Sequence, residues 1–233
     1  MKSPLANLFQ FTILLILGCC SLSALSSAVI SGTRVIYPSD SKDVSVRVSN
    51  NGPTAILLQS WIDDGNQDSP PAEMKVPFII TPPINRVDSG KGQTLRISYT
   101  GDLLPVEKES LFWLNVLEIP AKKITESSEN TLQVAFRSRL KLFFRPSGLQ
   151  GNANDAPKQM RWRSKSGQIE AYNPTPYFIN LVTVMVNGKK IEGSMISPMS
   201  HLLINIKSRP GDTLSGKFVN DYGAVTEFNA DVE

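Results

Sequence analysis

Cysteine is almost absent from this 233-residue chain, and its two copies, Cys19 and Cys20, sit side by side near the start. Residues 21–233 therefore cannot be stapled by disulfides and must be held by packed cores. Histidine is scarcer still, with His201 the single one. Zinc and copper sites draw on several His or Cys ligands, so neither a metal centre nor a cofactor is expected. One imidazole, in His201-Leu202-Leu203-Ile204 and with no serine-elbow pattern beside it, is poor material for a Ser–His–Asp triad. No glycine-rich loop opens a helix to cradle a phosphate. These absences point away from an enzyme. The charge is low and mixed, 24 Lys and Arg against 21 Asp and Glu. Without a basic block or basic residues interleaved with aromatics, nucleic acid is not expected as a partner. Nor does any window carry a sustained helical period with caps.

What is present begins with an export signal. Lys2 supplies a thin positive start, and Phe9 to Leu17 is an apolar run too short to span a bilayer comfortably. Ser26-Ser27-Ala28 offers small residues to a signal peptidase, so residues 1–28 are read as the signal, cut after Ala28. That cut removes both cysteines. Ile16-Leu17-Gly18-Cys19 loosely resembles a lipoprotein signal, with Cys19 lipidated, but Leu17 is bulky for its place there. The downstream site fits better, and a soluble exported protein is expected.

After the signal the chain is long enough for two domains of about 100 residues each. Val44-Ser45-Val46-Arg47-Val48 alternates cleanly, and Ala55–Ile62, Val76–Thr81, Thr94–Tyr99, Leu111–Ile119 and Leu132–Phe144 also read as strands. Turn clusters separate them, as at Asp63-Asp64-Gly65-Asn66 and Asp88-Ser89-Gly90. Six or seven strands over residues 29–146 read as a β-sandwich. Residues 147–157, rich in Gly, Asn and Pro, read as a linker. A second β-sandwich is expected over 158–233, with Asn187-Gly188 as a tight turn. The fold class is all-β, in two β-sandwich domains.

The most informative stretch is Asn130–Pro146, NTLQVAFRSRLKLFFRP. Leu132, Val134 and Phe136 alternate with Gln133, Ala135 and Arg137, giving one apolar face. Arg137, Arg139, Lys141 and Arg145 share a parity and so a nominal face, unless a bulge breaks the register. The run is long for a strand, and an exposed apolar edge invites pairing with another chain. Such an edge reads as a tool for binding a second backbone. Trp61, Trp113 and Trp162 lie in or beside apolar strands and are read as core or interface residues.

Several stretches together resemble the periplasmic chaperones of the chaperone–usher pathway, which assemble bacterial pili and fimbriae. Thr33-Arg34-Val35-Ile36-Tyr37-Pro38 is similar to the family's first strand, and Thr81-Pro82-Pro83 with Arg86-Val87 to its middle region. Leu104–Ala121 resembles its signature, with Glu107 where a shorter polar residue is usual, and Leu132–Pro146 its subunit-binding strand. Asn173-Pro174-Thr175 and Asn220-Asp221-Tyr222-Gly223 fit in the second half. The resemblance implies two immunoglobulin-like sandwiches in an L shape with a cleft between them. It implies donor-strand complementation, in which the chaperone lends a strand to a pilus subunit that lacks its last one. By position, Arg34 and Lys141 would anchor the subunit's terminal carboxylate, while Leu132, Val134 and Phe136 would enter its open core. Glu109, Arg145 and Asp221 would form a charge network between the domains. The short polar segment Ala121–Thr131, without a disulfide, resembles the short-loop branch. Expected partners are pilus subunits bound one to one, an outer-membrane usher and, for the idle edge, a second copy of the chain. The compartment is the periplasm. An exported carbohydrate-binding or adhesive β-sandwich module is the alternative.

Overall fold

The structure, a computed structural model, describes residues 27–121 and 133–233. The signal segment up to residue 26, most of the expected short loop, and Leu132 lie outside the described residues.

Alternation drives the first unit. Val46 and Val48 of β3 (Val44–Asn50) and Leu95 and Ile97 of β7 (Gly92–Tyr99) turn inward, while Ser45, Arg47, Thr94 and Arg96 face water. These strands pair with each other, flanked by β1 (Ala28–Ile30) and β5 (Phe78–Thr81), in the order β1-β3-β7-β5. The facing sheet comprises β2 (Arg34–Pro38), β4 (Ile56–Asp63), β6 (Ile84–Val87), β8 (Ser110–Pro120) and β9 (Phe136–Arg145). Its order is β2-β9-β8-β4-β6. Leu58, Leu114, Leu142 and Phe144 from this sheet meet Val48 and Ile97 from the other in one core. Tyr37, fully buried, closes it: its hydroxyl accepts from the Tyr99 N–H at 3.0 Å and reaches the Ser41 and Lys42 carbonyls at 3.1 Å.

The start of the chain serves both sheets. Residues 28–30 pair antiparallel with β3, and after a bend at Gly32 (φ +95°) residues 34–38 run parallel to β9. That bend needs a left-handed conformation that glycine adopts cheaply.

The second unit packs β10 (Arg161–Lys165), β11 (Gln168–Asn173) and β15 (Ser200–Ile204) against a second sheet. This contains β12 (Ile179–Val186), β13 (Lys189–Glu192), β16 (Thr213–Val219) and β17 (Val225–Asp231), with β14 (Met195–Ile196) also on β12. Trp162, Ile169, Val184 and Phe228 lie in its core. Asn187 and Gly188 both have positive φ and join β12 to β13 in a tight hairpin, as their sequence implies. Strands β13 and β14 escape the sequence pattern, because one is exposed and lysine-rich and the other has two residues.

One expected boundary moves. The ladder of β9 begins at Phe136, not at Leu132. Continuing the β8 register would set Val134 opposite Pro120, which has no N–H to donate, and Gln133 Nε2 instead caps the Pro120 carbonyl at 2.7 Å. The expected linker is also less separate than its composition suggests. Leu149 and Ala153 pack on the second core, Ala156 lies within it, and the Tyr177 hydroxyl donates to the carbonyls of Leu149 and Gly151. Glycine and proline there mark irregular backbone, not a lack of packing.

Candidate functional site

Strand β9 has two unlike halves. From Lys141 to Arg145 it is flanked by β2 (Arg34↔Lys141 to Pro38↔Arg145), and as far as Phe144 by β8 on the other side as well. Among the described residues, Phe136 to Leu140 pairs with β8 alone and its other edge has no neighbour. No bulge interrupts the register, so parity holds along the strand. Leu140, Leu142 and Phe144 face the core and are buried. Past the exposed Ser138 on the same face, Phe136 is 59% exposed; Val134, just before the strand, is 46% exposed. A row of apolar side chains next to unpaired backbone is an unprotected template for another strand.

The basic residues line the opposite face, each with its own partner. Arg137 Nη1 donates to the Gln67 carbonyl at 3.2 Å. Arg139 lies over the Trp113 ring, 4.6 Å from its centroid, and grips both oxygens of Asp63. Asp63 also accepts from Asn115 Nδ2 (2.6 Å) and the Gly65 N–H (2.7 Å). Burial alone would raise the Asp63 pKa, but these donors outweigh it and hold the carboxyl below its usual value. Sequence reading missed this clamp. An acid closing the apolar strand Ile56–Asp63 was the available signal.

At the junction of the two units the structure brings Glu109, Arg145 and Asp221 together. Arg145 Nε donates to Glu109 at 2.7 Å, and its two terminal nitrogens grip Asp221 at 2.7 and 2.9 Å. The other Glu109 oxygen accepts the Phe178 N–H at 2.8 Å, while the Asp221 N–H donates to Asn154 Oδ1 at 2.9 Å. Burial opposes the charge on Arg145, yet the two carboxylates prevail and raise its pKa. For Glu109 burial wins and raises the carboxyl, although Arg145 and the Phe178 amide pull it down.

Arg34 and Lys141 are neighbours across the parallel β2–β9 ladder, on the face turned to the second unit. Among the described residues neither has a carboxylate within ion-pair distance. Each leans on a neutral oxygen from across the junction instead: Arg34 Nη1 donates to the Val219 carbonyl at 3.0 Å, and Lys141 Nζ to Asn180 Oδ1. Arg34 Nε is buried without a hydrogen-bond partner among the described residues. Burial lowers both pKa values, and for Lys141 the adjacent guanidinium lowers it further. Asp221 and Glu109 lie near enough to favour the Arg34 charge without pairing with it, and two cations side by side with no directly paired anion make a site that favours a carboxylate. Two short segments of the second unit serve both clusters. Phe178 touches Glu109 and Asn180 touches Lys141, while Val219 touches Arg34 and Asp221 touches Arg145. Nothing in the sequence singled out Asn180 or Val219, which only the packing of the two units brings to this face.

The crevice beside Arg34, lined also by Phe143, Phe178 and Phe218, has a cavity volume of about 10 Å³, room for about one water. It is no pocket for a small molecule. Trp162 is buried and Trp61 and Trp113 half-buried, so no tryptophan among the described residues offers an exposed sugar-stacking platform.

Residues 27–150 match the family described as pili and flagellar-assembly chaperone, PapD N-terminal domain, and residues 155–230 match its C-terminal domain counterpart. The chain belongs to the pilus-assembly chaperone family. It is 44% identical to the chaperone protein FimB/FhaD of Bordetella pertussis over 217 residues, covering 89% of each chain. Among solved structures, the CupB2 chaperone of Pseudomonas aeruginosa has a TM-score of 0.77 at 36% identity, covering 88% of this chain and all of that one. The SafB chaperone of Salmonella enterica, solved in complex with the SafA pilin, also scores 0.77, at 28% identity over 89% of this chain and 97% of that one. The two immunoglobulin-like sandwiches of this chaperone are thus a family architecture.

Proposed function

We propose that this chaperone captures pilus or fimbrial subunits in the periplasm, one to one, by lending them the open edge of β9. The observation that carries this reading is the free half of the strand: among the described residues Phe136–Leu140 lacks a second neighbour, and the exposed Val134 and Phe136 lead into it. Val134 and Phe136, with Leu132 ahead of them, enter the subunit's incomplete core. Arg34 and Lys141 receive its terminal carboxylate. A fixed carboxylate also fixes register, and a slip of one residue would turn every apolar side chain to the wrong face. Glu109, Arg145 and Asp221 hold the second unit so that it completes the anchor's surroundings. The complex is delivered to an outer-membrane usher, and the idle edge pairs with a second copy of the chain. The solved complex of the related SafB chaperone with a pilin supports the choice of partner.

The test is periplasmic expression of a tagged chaperone in a piliated host, with mass analysis of what copurifies. A small β-rich subunit at one-to-one ratio is expected, lost on Arg34→Ala and on Val134→Glu while the chaperone itself stays folded. Recovery of the subunit undiminished by either change contradicts the proposal.

A further inference from the structure

Lys141 owes its position to a side chain of the other unit. Its ammonium can only donate, so the contact settles which end of the Asn180 amide faces it: Oδ1 turns toward Lys141 and the two N–H donors of Nδ2 turn away. Nδ2 has no protein partner among the described residues, yet it is not sealed from water. Asn180 itself is only 6% exposed, and it is held in β12 opposite Met195 on β14. Its aim is therefore set by the fold. Two residues before it, the Phe178 N–H is fixed on Glu109, so the strand that carries Asn180 is tied to the charge network.

The residue type matters as much as the place. An aspartate here would pair with Lys141 and neutralise the site from within. An aliphatic residue would leave the flexible lysine stem free to swing its ammonium into water, away from Arg34. An asparagine holds the ammonium without quenching its charge. We propose that Asn180 is a third residue of the anchor, which rests on the reading of Arg34 and Lys141 as a carboxylate site. It holds the Lys141 ammonium beside the Arg34 guanidinium and offers Nδ2 to an oxygen of the incoming chain's terminal carboxylate. The site is then built from both units, and selectivity for a free chain end depends on their docking. A carboxamide end carries no charge and presents its own N–H donors to a ring of donors, so the site rejects it.

The experiment uses the full mature chaperone and two nine-residue peptides of alternating valine and serine, fluorescein-labelled at the amino end. One ends in a free carboxylate and the other in a carboxamide, and fluorescence anisotropy gives the ratio of their affinities. The wild type is expected to favour the carboxylate by about tenfold or more, as for a desolvated charge contact. Asn180→Ala is expected to cut that preference several-fold at an unchanged melting temperature. Asn180→Asp should abolish it while leaving the protein as stable or more so, because the anion is now internal. Arg34→Ala should abolish it too. Loss of preference in Arg34→Ala but full preference in both Asn180 variants overturns the role of Asn180 and leaves the anchor intact. Preference retained in Arg34→Ala, or absent from the wild type, overturns the anchor reading itself.

Discussion

Lys141–Arg145 and Phe136–Leu140 are consecutive pieces of one strand, yet they are built to opposite specifications. The first has β2 on one side and β8 on the other, buries Leu142 and Phe144, and sends Arg145 into an ion network. The second has, among the described residues, β8 alone, ends in an exposed phenylalanine, and leaves an edge unpaired. The difference lies in the neighbour, since β2 is only five residues long and begins opposite Lys141. A short edge strand thus decides how much of β9 is closed core and how much is offered outward. Lys141 and its neighbour Arg34 mark the boundary. An extended partner entering along the open edge would meet two cations at the place where the edge closes.

The closed half should respond most in stability. Arg145→Ala leaves Glu109 and Asp221 close together without their cation, and breaking such a pair costs about 3–5 kcal/mol when it is buried. The low end applies here, because the Arg145 and Asp221 side chains keep about a fifth of their exposure. Urea unfolding should show the loss, and a double-mutant cycle with Asp221→Asn should show coupling; additive effects would mean that the two do not act as one network.

At the boundary the effect should move from stability to binding. Lys141→Ala should cost about 2–5 kcal/mol of subunit affinity, as for one member of a desolvated charge cluster. Its own stability should hold or rise slightly, since burial and Arg34 both penalise the Lys141 charge. Calorimetry on the two proteins separates these outcomes.

In the open half, Phe136→Asp should cost about 1.5–3 kcal/mol of subunit binding through lost apolar burial. The free chaperone should lose no more than about 0.5 kcal/mol, because that side chain is already largely in water. A large drop in melting temperature would show that this half is core after all.

The smallest effect sharpens the comparison from the outward face. Arg139, in the open half, is held to β4 through Asp63, which keeps the free edge from wandering. Asp63→Asn should cost about 1–2 kcal/mol at neutral pH. The Asp63 pKa is lowered in the fold, so its contribution is complete above about 3.8, the ordinary value, and fades as pH falls through the lower folded value. Wild type and variant should therefore converge in acid; a gap that persists there would place the effect in packing rather than charge.

Much of this was legible in the sequence. Val44–Val48 announces a half-buried strand by alternation, Leu111–Ile119 a strand by its apolar run, and Leu132–Phe144 a run long for a strand. Parity alone set Arg139, Lys141 and Arg145 on one face. The resemblance to pilus chaperones placed Glu109, Arg145 and Asp221, which lie in three distant stretches and have no local pattern in common. What stayed hidden depends on contacts across sheets and units. Pro120 stops the ladder at Phe136 only because of the register of β8, and Asn180 meets Lys141 only because the second unit docks as it does. A polar residue inside the apolar run Tyr177–Val186 looks like a defect until its partner is known. Composition misled once, at residues 147–157, where a sequence that breaks regular structure still packs into a core.

Amide hydrogen exchange across β9, read residue by residue in the free monomer and in the copurified subunit complex, tests the split strand most directly. The account expects Lys141–Arg145 to be protected in both states. It expects the amides of Phe136–Leu140 that face away from β8 to exchange rapidly in the monomer and to become protected in the complex. Equal protection of both halves in the monomer, or an open half that still exchanges rapidly in the complex, would contradict it.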